Sequence, residues 1–173
     1  MAEQPSLECQ ASAFSLLVPA RNLSRDRVSA LRYDLIGGRV IVTTGQMILV
    51  AGPYRSGTGD DPAKMAANVR LMEGYALPLF RAGHVPVLGE WFALPLVSLA
   101  GSRRIGDDAF NEIFHPIAER LLARCDAVLR VGGASQGADL MVSVAEARGL
   151  AVYRRLQDVA GCESCPEPSD EAS

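Results

Sequence analysis

The stretch Met47-Ile48-Leu49-Val50-Ala51-Gly52-Pro53-Tyr54-Arg55-Ser56-Gly57 constrains the fold of this chain more than any other. An apolar, β-branched run breaks into Gly, Pro and Ser, and Asp61-Pro62 then supplies a capping oxygen and a proline suited to a first helical turn. This is a strand feeding a loop and then a helix. In an open parallel sheet, ligands bind beyond the carboxyl ends of the strands, so this turn is the expected wall of a pocket.

The same alternation returns down the chain. Met65, Val69, Met72, Ala76, Leu79 and Phe80 recur mostly at three and four residues, predicting a helix from Asp61 to about Ala82, kinked at Pro78 and ended by Gly83. His84 to Leu88 reads as a short strand whose Pro86 limits ladder pairing. Gly89 to Gly101 is apolar but broken; Trp91, Phe92, Leu94, Leu96, Val97 and Leu99 suggest a short helix or aromatic lid over one side of the pocket, against plain core or a subunit contact. Asp107 or Asp108 caps a helix through Ala109, Ile113, Ile117, Leu121 and Leu122, with a bend at Pro116. Asp126 to Val131 is a buried strand ending in Gly132-Gly133, Ser135 opens a helix through Gly149, and Leu150 to Arg154 completes a further strand.

Strands alternating with helices at this spacing imply βαβ units, hence a Rossmann-like three-layer α/β domain with a four- or five-stranded, mainly parallel sheet. The expected domain spans 47–156. Residues 1–46 are an extension without sustained periodicity, in which Val40 to Thr44 forms an added edge strand after a Gly37-Gly38 turn and the first two dozen residues are mobile. Met47 stands immediately before the first strand, so a start of translation there would leave a complete fold. From Gln157 to Ser173 Glu, Ser, Pro and Asp accumulate, predicting an acidic disordered tail.

Composition narrows the function classes. A chain of 173 residues, 49% hydrophobic and 21% charged, fits one domain with a sizeable core. A net charge of -3, with Lys and Arg scattered, disfavours a nucleic-acid polymer and favours a small ligand. No apolar run reaches the roughly 18 residues of a membrane span. Ala11 to Ala20 is apolar but preceded by Glu3 and Glu8 and no basic residue, the wrong start for a secretory signal, so a cytoplasmic location is expected. Of the four cysteines, Cys125 reads as buried packing and Cys9 stands alone; Cys162 and Cys165 have C-x-x-C spacing but no second pair or nearby His to complete a zinc shell, and read as idle thiols in the tail. No metal and no cofactor is expected.

Two loops suit chemistry: Gly52 to Gly59, and Gly132-Gly133-Ala134-Ser135-Gln136-Gly137-Ala138. Each leads into a helix, whose first N-H groups and positive dipole end favour an anion, with Ser135 as the best contact. The plainer reading makes Ser135 an N-cap and the glycines turn geometry. The first loop lacks G-x-G-x-x-G, so a dinucleotide has little support. Glu90, Asp107, Asp108 and Glu112 lie in or beside the lid region and are candidate carboxylates, although a solvated loop or a helix cap is the favoured explanation of them. His84 suits the helix-to-strand turn and His115 an exposed helix flank, and neither joins a nucleophile in a hydrolase triad.

The segments Ile48-Leu49-Val50-Ala51-Gly52-Pro53-Tyr54, Asn68, Gly83-His84-Val85-Pro86, Cys125-Asp126-Ala127-Val128 and Ser135-x-Gly137-Ala138, followed by Ala145 and Gly149, resemble the nucleoside 2-deoxyribosyltransferase-like superfamily over Met47 to about Tyr153. That superfamily includes deoxyribosyltransferases, nucleoside 5′-monophosphate N-glycosidases and small proteins of the DUF4406 type. The resemblance implies a nucleoside or nucleoside monophosphate in the cleft, with Gly52, Pro53 and Tyr54 near sugar and base, Ser135 near a 5′-phosphate, and Gly133, Gly137 and Met141 also among the substrate-binding residues. It also implies a homo-oligomer. Active members carry a glutamate six residues after the serine that attacks the sugar C1′; here that position is Met141. A thioether can neither attack nor stabilise an oxocarbenium-like centre by charge. Asp139 should project from nearly the opposite side of the helix, and Glu146 lies more than one turn further on. The expectation is therefore N-glycosidic cleavage or exchange (a hydrolase or transferase) with a carboxylate from elsewhere, Glu90, Asp107 or Asp108. The alternatives are a catalytically inactive nucleotide-binding sensor or regulatory subunit, or a scaffold whose Trp91 to Leu99 segment makes an oligomer contact.

Overall fold

The computed structural model describes residues 31–36 and 39–168. Four parallel strands, β3 (Met47–Ala51), β4 (Val85–Leu88), β5 (Ala127–Arg130) and β6 (Ala151–Tyr153), lie in the order β4-β3-β5-β6. β3 is flanked by β4 and β5, with Leu49 opposite both Val87 and Val128. Its apolar run is continuous because both faces are covered. Ile48 and Val50 join Met72, Leu79 and Leu129 on one side, while Leu49 and Ala51 join Leu122, Val128, Met141 and Ala145 on the other. The chain leaves β3 toward β4 and then crosses back past β3 to enter β5. This reversal opens a crevice at the carboxyl ends of β3 and β5.

The expected helix from Asp61 to Ala82 is two helices, α1 (Pro62–Gly74) and α2 (Ala76–Arg81), divided at Tyr75. Pro78 has no N-H to return to the Gly74 carbonyl, so the ladder is interrupted one turn before it. Asp61 caps α1 by accepting from Ala63 N at 2.9 Å, and Gly83 at φ 94° closes α2 into β4. Pro86 is tolerated because β4 is an edge strand.

α3 (Gly89–Leu99) and α4 (Asp108–Leu122) pack together, and α5 (Gln136–Ala147) follows β5. Of the apolar positions expected on α4, Leu122 is buried and Leu121 packs with the core, while Ala109, Ile113 and Ile117 are half-buried. Phe110 and Leu122 are its buried residues, and Ala118 packs with the core between them.

Val40 to Thr44 is not an edge of the parallel sheet. β2 (Arg39–Thr44) pairs antiparallel with β1 (Leu31–Ile36) in a separate two-stranded sheet. Gly37 and Gly38, residues 1–30 including Cys9, and the expected mobility of the first two dozen residues lie outside the described residues.

The tail expected to be disordered from Gln157 is folded as far as Pro168. A short 3-10 turn, η1 (Leu156–Asp158), leads into a strap in which Leu156, Val159 and Cys162 are fully buried on the α1–α2 side of the sheet. Three apolar side chains spaced along an acidic segment outweighed its composition. Residues 169–173 lie outside the described part.

Gln46 belongs to the fold rather than to the extension. Its N-H donates to His84 Nδ1 at 3.1 Å, its carbonyl accepts from Val85 N at 2.8 Å, and its side-chain oxygen accepts from the Tyr153 hydroxyl at 3.0 Å. His84 therefore carries its proton on Nε2, which donates to Ala160 O at 2.8 Å and ties the sheet to the strap. A chain beginning at Met47 should be about 1–3 kcal/mol less stable in urea unfolding than one beginning at Gly45, since three hydrogen bonds are lost. Equal midpoints would show these bonds to be inconsequential.

Candidate functional site

Two glycine bends meet at the crevice. Gly132 has φ 69°, and a Cβ there would lie 2.8 Å from Pro53 Cδ, so the loops after β3 and β5 are in direct contact. Each is fastened. Asn68 on α1 donates to Tyr54 O at 3.0 Å, fixing the first loop from below. Arg130, its side chain 10% exposed, donates to Asp139 Oδ1 at 2.8 Å, to Gly133 O at 2.7 Å and to the Val131 carbonyl, so one guanidinium clamps the second loop to the first turn of α5. Asp139 is thereby committed to Arg130, and Met141 is buried at 4% exposure.

A cavity of about 500 Å³ occupies the α4–α5 side of the crevice, a volume suited to a small organic ligand. Of the expected site residues, Gly52, Tyr54, Ser135, Gly137, Met141 and Glu90 line it. Pro53 and Gly133 do not; they line a neighbouring cavity of about 730 Å³ on the α1 side of the first loop. Asp107 and Asp108 line neither.

Asp107 is the N-cap of α4. Its Oδ1 accepts from Phe110 N at 2.9 Å and Ser102 Oγ at 2.8 Å, and its Oδ2 accepts from Arg103 N at 2.9 Å. The Phe110 and Arg103 amides, then the Ser102 hydroxyl, hold its pKa down at about 2, against an ordinary 3.8. A depressed carboxylate stabilises the fold above its unfolded pKa and loses that contribution as pH falls through the folded one. Asp107→Ala should therefore lower the melting temperature at pH 7, and the gap should close between pH 3.8 and about 2. A gap independent of pH would refute the role of the charge.

Glu90 is the carboxyl group of the cavity. It is the second residue of α3 and 9% exposed, because Leu88 ends β4 in the core and α3 starts without a connecting loop. Burial pushes its pKa up, partly opposed by its own backbone amide. Burial also raises the Tyr54 hydroxyl, and the Glu90 charge adds to that shift, so the two groups face a common space.

The aromatic wall comes from α4 rather than from the expected lid. Tyr54 and Phe114 have ring centroids 4.8 Å apart at 33°, and Phe110 stacks on Phe114 at 4.6 Å and 15°. His115 stands edge-on to Phe114 and reaches over the start of α5, with its Cε1 3.4 Å from where a Gly137 Cβ would lie. Trp91 and Phe92 are instead 41% and 44% exposed on the outer face of α3, and the Trp91 indole donates to Glu73 Oε1 at 2.8 Å. Phe110, Phe114 and His115 were the residues that sequence reasoning missed as site residues. Their signal was the i, i+4 aromatic pair one turn after a helix cap at the sheet's carboxyl edge.

Ser135 does what an N-cap does, accepting from Ala138 N at 3.3 Å, and it is also 7% exposed in the cavity wall. Gln136 and Gly137, whose N-H groups are the helix's first and have no intrahelical acceptor, line the same cavity. At the rim, Arg55 is paired with Asp60, with Nη2 to Oδ2 at 2.7 Å. Among the described residues no group of three or more His, Cys, Asp or Glu could hold a metal ion.

Together these features define a Rossmann-like three-layer α/β protein with an aromatic, carboxyl-bearing cleft at its topological switch point. No family model matches the chain, and no curated protein matches it. No helix among the described residues is long and apolar enough to cross a membrane.

Proposed function

We propose that the cleft binds a nucleoside or nucleoside monophosphate in the manner of the nucleoside 2-deoxyribosyltransferase-like superfamily, and that Glu90 takes part in cleaving or exchanging its N-glycosidic bond. The supporting observation is the convergence of a ring-stacking wall, a buried carboxyl group and an anion-suited helix start on one cavity of about 500 Å³. The base stacks against Tyr54 and Phe114, and a 5′-phosphate meets Ser135, Gln136 and Gly137. Glu90, held neutral to higher pH by burial, is a general acid rather than an attacking carboxylate. The C1′–N bond breaks with its electron pair going to the base, which takes the Glu90 proton. Water adds to C1′ and returns a proton to Glu90.

A second reading is a catalytically inactive sensor or regulatory subunit. It is favoured by Met141, a thioether packed into the apolar cluster where the superfamily carries its nucleophile. Neither reading involves a cofactor, a nucleic-acid polymer or a membrane. A cytoplasmic homo-oligomer, its copies meeting through the exposed apolar side of α3, completes the proposal.

Incubation with nucleosides and nucleoside monophosphates, followed by chromatography for free base, tests turnover. Thermal shift tests binding, since a ligand at 100 times its dissociation constant stabilises the fold by about 2.7 kcal/mol. Base release supports the enzyme, a shift without release supports the sensor, and neither response across the panel overturns both.

A further inference from the structure

The C-x-x-C segment is built into the protein. Cys162 is fully buried in the core on the α1–α2 side, with its Sγ 3.9 Å from Pro78 O, and Cys165 packs on the same cluster while remaining partly exposed. Cys165 N donates to Cys162 O at 2.9 Å. An i to i+3 bond of this kind closes a turn whose end Cα atoms lie within about 7 Å, which overlaps the roughly 4.4–6.8 Å that disulfides span. After burial, the neighbouring Cys165 thiol adds to the upward shift of Cys162, and Gln157 Nε2 holds the turn by donating to Cys165 O at 2.9 Å. Cys125 belongs to the apolar cluster on the opposite face of the sheet, so it cannot compete for either sulfur.

We propose that Cys162 and Cys165 form a dithiol/disulfide site that exchanges with small disulfides of the glutathione class. Cys165, the accessible sulfur, attacks as thiolate, forming a mixed disulfide and releasing one small thiol. Cys162 then loses its proton and attacks Cys165 Sγ, the mixed disulfide breaks, and the second small thiol leaves. One small disulfide is reduced to two thiols, two protein thiols become one disulfide, and their two protons pass to the released thiols. The order follows from burial, which pushes the Cys162 thiol up to about 12 and makes it the resolving rather than the first nucleophile.

The bond would rigidify the strap that closes the second cavity. Pro168 packs where a Gly74 Cβ would be, at 2.8 Å, Gly161 abuts Ala82, and Glu167 Oε1 accepts from Leu156 N at 3.1 Å.

The test equilibrates the full-length chain in glutathione buffers stepped from reduced to oxidised, traps free thiols by alkylation and maps peptides by mass spectrometry. The expected product is a monomer two hydrogens lighter, with Cys162 and Cys165 joined, Cys125 still alkylated, and a melting temperature about 4 °C above the reduced form. Cys165→Ser should abolish cross-link and shift together, Cys162→Ala should trap Cys165 as the mixed disulfide, and Cys125→Ala should change neither. Accumulation of a mixed disulfide at Cys165 in the parent chain, an intermolecular dimer through Cys165, or two thiols still alkylated in fully oxidised buffer would each overturn the proposal.

Discussion

On the proposed chemistry, Glu90→Gln should slow release of free base by about 10²- to 10⁴-fold while leaving nucleotide binding within a few-fold, because the amide keeps the side chain's shape but has no proton to give the departing base. The same substitution has a second, opposite signature. Glu90 titrates in the fold above its ordinary 4.5, so the folded protein holds the proton more tightly than the unfolded chain. The stability associated with the neutral acid is complete below pH 4.5 and is lost as pH rises through the raised value. Glu90→Gln should therefore be more stable than the parent at pH 8 and indistinguishable from it below pH 4.5. Urea midpoints across that range read the effect directly. Loss of stability at pH 8 would mean that the charge is paired in a way the cavity does not show, and unchanged base release would remove Glu90 from the chemistry.

The other large effect belongs to the contact between the loops. Gly132→Ala should destabilise the fold by about 3 kcal/mol and abolish the proposed nucleotide binding, for two additive reasons. Its φ of 69° is strained for any residue with a Cβ, and that Cβ would stand 2.8 Å from Pro53 Cδ in a rigid ring. The proline cannot retreat without moving Tyr54 and with it the aromatic wall. The adjacent Gly133→Ala is the control, since its backbone is not left-handed and nothing lies within 4 Å of the added carbon. It should change stability by no more than about 0.5 kcal/mol. Equal losses at the two positions would show that the bend, rather than its contact with Pro53, limits the fold.

The sequence and structure agree best where local chemistry is strong, and they part where one side chain had several acceptable destinations. Glu90 illustrates the second case. Read along the chain it is one of four acidic residues around an apolar segment, and only the absence of a loop between β4 and α3 carries it into the cavity. Asp107 came from the same set and went to a helix cap, because the Phe110 amide at the start of α4, the Arg103 and Arg104 amides before it and the Ser102 hydroxyl offered it four hydrogen bonds. The strap is a similar case. Acidic composition argued for disorder over 157–168, but a hydrophobic face needs only Leu156, Val159 and Cys162 in register with an open stretch of core.

Strand and helix order, the caps at Asp61 and Ser135 and the sharp turn at Gly83 could all be settled from neighbouring residues, because backbone hydrogen bonding, φ restriction and apolar periodicity act over a few positions. Chain chemistry likewise placed the two glycine bends at strand ends. Their meeting, the placing of Phe110 and Phe114 along the cavity, and the separation of Glu90 from Asp107 could not be settled that way. Those outcomes depend on which distant surfaces compete for the same volume, a quantity that exists only once the sheet has assembled.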